Sequence, residues 1–169
     1  MIIRAALRPT ILNMVAKVYV PILFPLTVLI ALVALKLDTA LGLGSGFLPT
    51  PLNYGVAISL LIVGTIFWLW TYEQLTRLGE GSPSPTAGRT TRLATTGIYA
   101  HSRNPSIAGK LLGVLSVGFA LNSISFCCIL VPLLLIGSLV EKVVRQEPQL
   151  VEVFGAEYEQ YRREVPLFI

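Results

Sequence analysis

Charge is scarce in this 169-residue chain: Asp, Glu, Lys and Arg make up only 13% of it, against 54% hydrophobic residues, and the mean hydropathy is +0.73. A water-soluble domain of this size carries about twice that share of charge, so the composition excludes one and points to an integral membrane protein. Histidine is almost missing, with His101 the single example, and that excludes a metal site built on clustered imidazoles. The two cysteines, Cys127 and Cys128, are adjacent within an apolar run, where they can neither bridge one another nor hold a metal, so they read as buried and reduced. No basic stripe interleaved with aromatics accompanies the net charge of +4 and the pI near 9.3, so nucleic acid is not the expected partner. Nor does any repeat divide the chain, which suits one membrane domain of several helices, residues 1–169.

What the sequence has in abundance is long apolar runs. Residues 18–37 are apolar apart from Thr27 and Lys36, and about 20 residues at 1.5 Å each cross a hydrocarbon core of roughly 30 Å. Pro21 and Pro25 fall in the first turns of this run, where proline is tolerated, and the run is too long for a removable signal. Residues 54–72 form a second run ending in Trp68, Trp70 and Tyr72, rings that favour the headgroup level. Runs at 105–121 and 124–140 are separated only by Asn122-Ser123, which predicts an antiparallel hairpin of slightly short spans, with Pro132 kinking the second. The fold class is therefore all-α and polytopic, with about four transmembrane helices and cytoplasmic C-terminal helices.

Arg4, Arg8 and Lys17 precede the first span; Arg77, Arg89, Arg92, Arg103 and Lys110 lie between the second and third; Lys142, Arg145, Arg162 and Arg163 follow the fourth. Only Lys36 falls on the other side, so the positive-inside bias puts both termini and the central polar block in the cytoplasm. The residues before the first span, 2–16, mix Arg4 and Arg8 with apolar residues as an interfacial helix would.

That block, Thr95-Thr96-Gly97-Ile98-Tyr99-Ala100-His101-Ser102-Arg103-Asn104-Pro105-Ser106-Ile107-Ala108-Gly109, is the main concentration of polar residues between apolar runs. Asn104-Pro105 is a helix-start signal, and a helix start with Arg103 beside it suits an anion such as a carboxylate. His101 offers an imidazole, a common general base, though no nucleophile accompanies it. Gly79-Glu80-Gly81-Ser82-Pro83-Ser84-Pro85 is glycine-rich but lacks the βαβ context of a dinucleotide site, and reads as a loop. After the fourth span, Glu141, Lys142 and Arg145 follow at helical spacing; Pro148 bends or restarts the helix. Gly155 then stops it, and Tyr158, Tyr161 and Val165 make the apolar face of a short interfacial helix.

In order, a Gly-rich loop, Thr-Thr-Gly-Ile-Tyr, Ser-Arg-Asn-Pro, a hydrophobic hairpin, Gln-Glu-Pro-x-Leu and Phe-Gly-x-Glu-Tyr-x-x-Tyr before Val-Pro resemble the isoprenylcysteine carboxyl methyltransferases and the related small phospholipid methyltransferases. The resemblance runs from about Gly79 to Phe168 and marks residues 73–169 as a methyltransferase-like core behind an N-terminal part, 1–72. It implies S-adenosylmethionine as methyl donor, lined by Thr91, Arg92, Leu93, Ala94, Tyr99, His101, Asn104, Pro105, Ser106 and Ile107 and closed by Gln146 or Glu147. Lys142 matches a basic position associated with the acceptor, and Arg103, Lys142 and Arg145 form the expected catalytic set. Departures from the family pattern are Asn104 for histidine, Ile107 for tyrosine, Gln146 for the first glutamate of a pair and Lys142 for arginine.

Methyl transfer from a sulfonium is an in-line displacement that needs alignment and exclusion of water. A carboxylate acceptor is already ionised at neutral pH, whereas an amine must first lose a proton. The basic set therefore favours carboxyl O-methylation of an isoprenylcysteine-like lipophilic acceptor. Lipid amine N-methylation is the second reading, and a membrane protein that keeps the fold without activity is the third.

Overall fold

A computed structural model describes residues 24–44, 46–79 and 92–168. The segment 2–16, the start of the first apolar run, most of the Gly-rich loop and Thr91 lie outside the described residues. All regular structure among the described residues is helical, as the sequence predicts. The elements are α1 (Phe24–Ala40), α2 (Leu52–Leu78), a 3-10 turn at Gly97–Ala100, α3 (Ser106–Ala120), α4 (Phe126–Phe154) and α5 (Ala156–Glu164).

Two of these helices, α2 and α4, are long and apolar enough to cross a bilayer, with mean hydropathy of 1.9 and 2.2. In a soluble protein such helices would be core. Here only 17% and 6% of the apolar windows are buried, and Ile58, Leu61, Ile62 and Ile66 of α2 and Leu133, Ile136 and Val140 of α4 stand exposed. Apolar surface on that scale is stable against lipid, where the helix satisfies its own backbone. Helix α3 is apolar over 15 residues, about 22 Å, shorter than the hydrocarbon core.

The fourth apolar run behaves differently from its sequence reading. Pro148 does not restart the helix, and α4 continues past both Pro132 and Pro148 for 29 residues to Phe154. Proline removes one backbone donor and crowds the carbonyl four residues back. The chain accommodates this by widening the turn before each proline into a π turn, at Phe126–Leu130 and at Lys142–Gln146. Residues 141–148 continue the fourth run, as the sequence predicts, and residues 149–154 are carried on the same helix. Gly155, at φ 54° and ψ −127°, makes the break that leads into α5.

The described residues fall into two compact units, one holding those up to Thr65 with Leu111–Leu133, the other those of Ile66–Lys110 and Leu134–Ile169. In the first, Ala34, Phe126 and Val131 form a buried core under Ile30, Leu115 and Val117. Asp38, 5% exposed, accepts the Ser123 hydroxyl at 2.5 Å and the Ser125 N–H at 2.8 Å, so α1 supplies the cap for the start of α4. Asn122 turns the chain at φ 53° and its side chain accepts the N–H groups of Phe47 and Leu48. Gly118 lies so close to Cys127 and Phe126 that a Cβ would come within 2.4 Å of the Cys127 sulfur.

Candidate functional site

The second unit carries the polar block and the C-terminal helices. Gly97 takes φ +65°, and a Cβ there would press on Gln74, so glycine is required to turn the chain into the 3-10 turn Gly97–Ala100. That turn buries Tyr99, whose hydroxyl donates to the Thr71 carbonyl of α2 at 3.4 Å. Its own backbone carbonyl accepts the Tyr161 hydroxyl of α5 at 2.6 Å. Burial pushes the Tyr99 hydroxyl up to about 12 and raises those of Tyr158 and Tyr161, because the phenolate is the form that loses its solvation.

Arg103 and Glu147 meet as a largely buried ion pair, their side chains 11% and 5% exposed. The same guanidinium reaches the Tyr158 hydroxyl at 3.5 Å, and Arg162 approaches the other Glu147 oxygen at 3.6 Å. Arg103 is therefore not a bare cation beside a helix start; its charge is answered by Glu147. One donor of that guanidinium, Nε–H, is buried and has no partner among the described residues.

The start of α3 is tightly wound. The N–H groups of Ile107 and Ala108 donate to the carbonyls of Asn104 and Pro105 at 3.1 Å, which occupies donors that the sequence reading left for an anion. Asn104 spends its side chain elsewhere, donating to the Leu167 carbonyl at 3.2 Å, while the Arg103 N–H donates to the Pro166 carbonyl at 3.0 Å. Pro105 and Ile107 are buried and Ser106 is half-buried.

Helix α5 docks by its apolar face. Tyr158, Tyr161 and Val165 are buried under Leu93, Leu150, Val151 and Phe154, so this face packs on protein rather than lying on the membrane surface as an interfacial helix would. Two tyrosines can be buried there because each hydroxyl finds a partner in the block.

In the second π turn of α4, Lys142 Nζ donates to Gln146 Oε1 at 2.5 Å, and Gln146 Nε2 donates to both Glu141 oxygens at 3.1 and 3.2 Å. Arg145 is exposed on this turn, and His101 is exposed on the loop. A partly open cleft of about 180 Å³ is lined by Arg77, Leu78, Arg92, Leu93, Ala94, Thr95, Thr96 and Glu157. Of the residues expected to line a cofactor, this brings together Arg92, Leu93 and Ala94; Arg103 and Glu147 form the ion pair described above. Arg77, Leu78, Thr95, Thr96 and Glu157 are added by the fold. Glu157 lies in the Phe-Gly-x-Glu-Tyr motif, the one sequence signal that could have found it.

The description "Phospholipid methyltransferase" belongs to a family model that matches residues 52–157, more than half the chain. A curated relative, Protein-S-isoprenylcysteine O-methyltransferase of Schizosaccharomyces pombe (strain 972 / ATCC 24843), is 36% identical over 74 residues. The match covers 44% of this chain and 31% of that protein, so the chain is matched to less than a third of the relative's length.

Proposed function

Because this chain belongs to the phospholipid methyltransferase family and is also similar to an isoprenylcysteine O-methyltransferase, we propose that it transfers a methyl group from S-adenosylmethionine to a lipophilic acceptor at the cytoplasmic membrane face. The observation that carries this reading is the convergence of the polar block and the end of α4 on one buried ion pair, Arg103–Glu147, in the unit that also holds a polar cleft. In this reading four spans hold the block and both termini on the cytoplasmic side, as the distribution of basic residues supports.

The donor set fits the cofactor. Arg92, and Arg77 from its ion pair with Glu73, suit its carboxylate, and Glu157 suits its ammonium or ribose hydroxyls. When bound, S-adenosylmethionine supplies a methyl group on a positively charged sulfur. The protein contributes alignment and a dry site: Tyr99 and Tyr161 fix the loop, Glu147 holds Arg103 in place, and Lys142 presents an ammonium to the acceptor. An ionised carboxylate needs no base, and His101, exposed on the loop, is not required as one.

Carboxyl O-methylation of an isoprenylcysteine-like acceptor is the preferred reaction, and the family description keeps phospholipid amine methylation as the second. Calorimetry of S-adenosylmethionine with the purified protein tests the enzyme itself; an absence of binding would leave a fold without activity. Labelled donor offered with a prenylcysteine analogue and with phosphatidylethanolamine decides the acceptor, and label confined to the amine lipid would overturn the carboxylate assignment.

A further inference from the structure

The Val165-Pro166 pair closes the sequence motif that runs through α5, yet neither the cleft nor the buried ion pair uses it. Beyond Glu164 the chain leaves α5 with Val165 in extended backbone, φ −117° and ψ 129°, and its side chain buried. The next two carbonyls meet the polar block. That of Pro166 accepts the Arg103 N–H at 3.0 Å, and that of Leu167 accepts the Asn104 Nδ2–H at 3.2 Å. Pro166 has no N–H of its own, so at that position the segment offers an acceptor alone, and the block answers with donors. Residues 165–168 thus form a strap along the start of α3.

The other donors at this helix start are also taken. Ser102, fully buried, accepts the Asn104 N–H on its hydroxyl oxygen at 3.2 Å, and the Ile107 and Ala108 N–H groups close on the carbonyls of Asn104 and Pro105. Few donors are left there for a ligand. What the strap holds is α5. Gly155 joins the start of that helix to α4, Tyr158 and Tyr161 tie its middle to the block, and the strap ties down its end. Its first turn carries Glu157 into the cleft with Arg77 and Arg92.

We propose that Asn104 is a positioning residue that serves the cleft through the strap: its side-chain amide clasps the Leu167 carbonyl, seats α5 and so sets Glu157, without touching the cofactor. The family resemblance groups Asn104 with the residues that line S-adenosylmethionine, whereas the geometry gives its amide another partner. The role of the cleft rests on the methyltransferase reading; the clasp itself is a property of the fold. Because the acceptors are backbone carbonyls, the clasp depends on the path of the strap and on the donor at position 104, and not on the side chain of Leu167.

The test uses the full chain in lipid nanodiscs and reads two quantities: hydrogen exchange at the Arg103 amide, which the strap covers, and calorimetric affinity for S-adenosylmethionine. Asn104→Ala removes the clasp, and Asn104→Asp keeps the shape of the side chain while losing the donor. Each should speed exchange at the Arg103 amide about fivefold, the loss of one ordinary hydrogen bond, and Asn104→Ala should weaken cofactor binding by about the same factor. Phenyllactic acid in place of Phe168 turns the Leu167–Phe168 amide into an ester and weakens the Leu167 carbonyl as an acceptor. Alone it should act in the same direction; combined with Asn104→Ala it should add little, since both changes break one hydrogen bond. Affinity losses that multiply in the combined protein would mean that Asn104 meets the cofactor itself, and they overturn the proposal. So does an Arg103 amide that exchanges at the wild-type rate in Asn104→Ala. The expected exchange pattern in a protein with no affinity for S-adenosylmethionine refutes the methyltransferase reading and upholds the clasp. If both hold, Asn104→Ala should raise KM for the donor with little change in kcat.

Discussion

Arg103, within the polar block, and Glu147, in the last stretch of α4, are 44 residues apart in sequence and joined in a buried ion pair. Neither residue is stable there alone. A buried charge without its partner keeps its desolvation cost and loses the attraction that offset it.

Glu147→Ala should therefore destabilise the protein by about 3–5 kcal/mol, read as a lowered unfolding midpoint in detergent. The double replacement Arg103→Met with Glu147→Leu should recover part of that loss and still bind no S-adenosylmethionine. If the single variant unfolds at the wild-type midpoint, the pair is not a buried one.

Tyr161→Phe keeps the ring and deletes the hydroxyl that holds the Tyr99 carbonyl. The expected cost is about 1 kcal/mol in stability, with a further loss of cofactor affinity as the loop loosens. Tyr54, half exposed, gives the control: Tyr54→Phe should change neither quantity. Equal calorimetric affinities for wild type and Tyr161→Phe would count against the loop being part of the cofactor site.

Alkaline titration should show the contribution of Tyr99 by difference from Tyr99→Phe. Its folded value of about 12 lies above the ordinary 10.0, so the fold favours the neutral phenol. The sign follows: this contribution is complete below pH 10 and is lost as pH rises from there through about 12. Tyrosinate absorbance should accordingly contain a late component, shared with Tyr158 and Tyr161, that Tyr99→Phe reduces. An unchanged late component in that variant would assign it to another tyrosine.

Asp38→Ala removes the acceptor of the Ser123 hydroxyl and the Ser125 N–H at the start of α4. About 1–3 kcal/mol of stability should go with it, since two buried donors lose their partner. Methyl transfer per folded molecule should hold at the wild-type value, and a specific activity reduced more than twofold in protein that remains folded would show that the cap also shapes the site.

The helices were legible where physics is local. Apolar runs located α2 and the first part of α4, Asn104-Pro105 located the start of α3 within one or two residues, and Gly155 located the break before α5. The extent of α4 was not legible, because Pro148 in sequence is a helix breaker and only the surrounding structure absorbs it as a widened turn. The placement of α5 was not legible either: Tyr158 and Tyr161 have the pattern of a membrane-surface face, and only the acceptors in the polar block make burial possible. In the candidate site, Arg103 and Glu147 could be named from sequence, but that they answer one another could not. The cleft residues Arg77 and Glu157 lie on different elements, and no spacing rule joins them.

The two π turns of α4 also set a rule for how this helix responds to substitution. Each inserts one residue beyond the α-helical count, and one residue corresponds to about 100° of rotation around the axis. A scan along α4 therefore cannot be fitted with a single helical phase. Sensitive positions should follow one stripe between Val131 and Glu141 and a rotated one from Glu147 onward, each internally regular. Removing one residue from Lys142–Gln146 would bring the two stripes into line and turn Glu147 away from Arg103, and would return Pro148 to the crowding that the widened turn relieves.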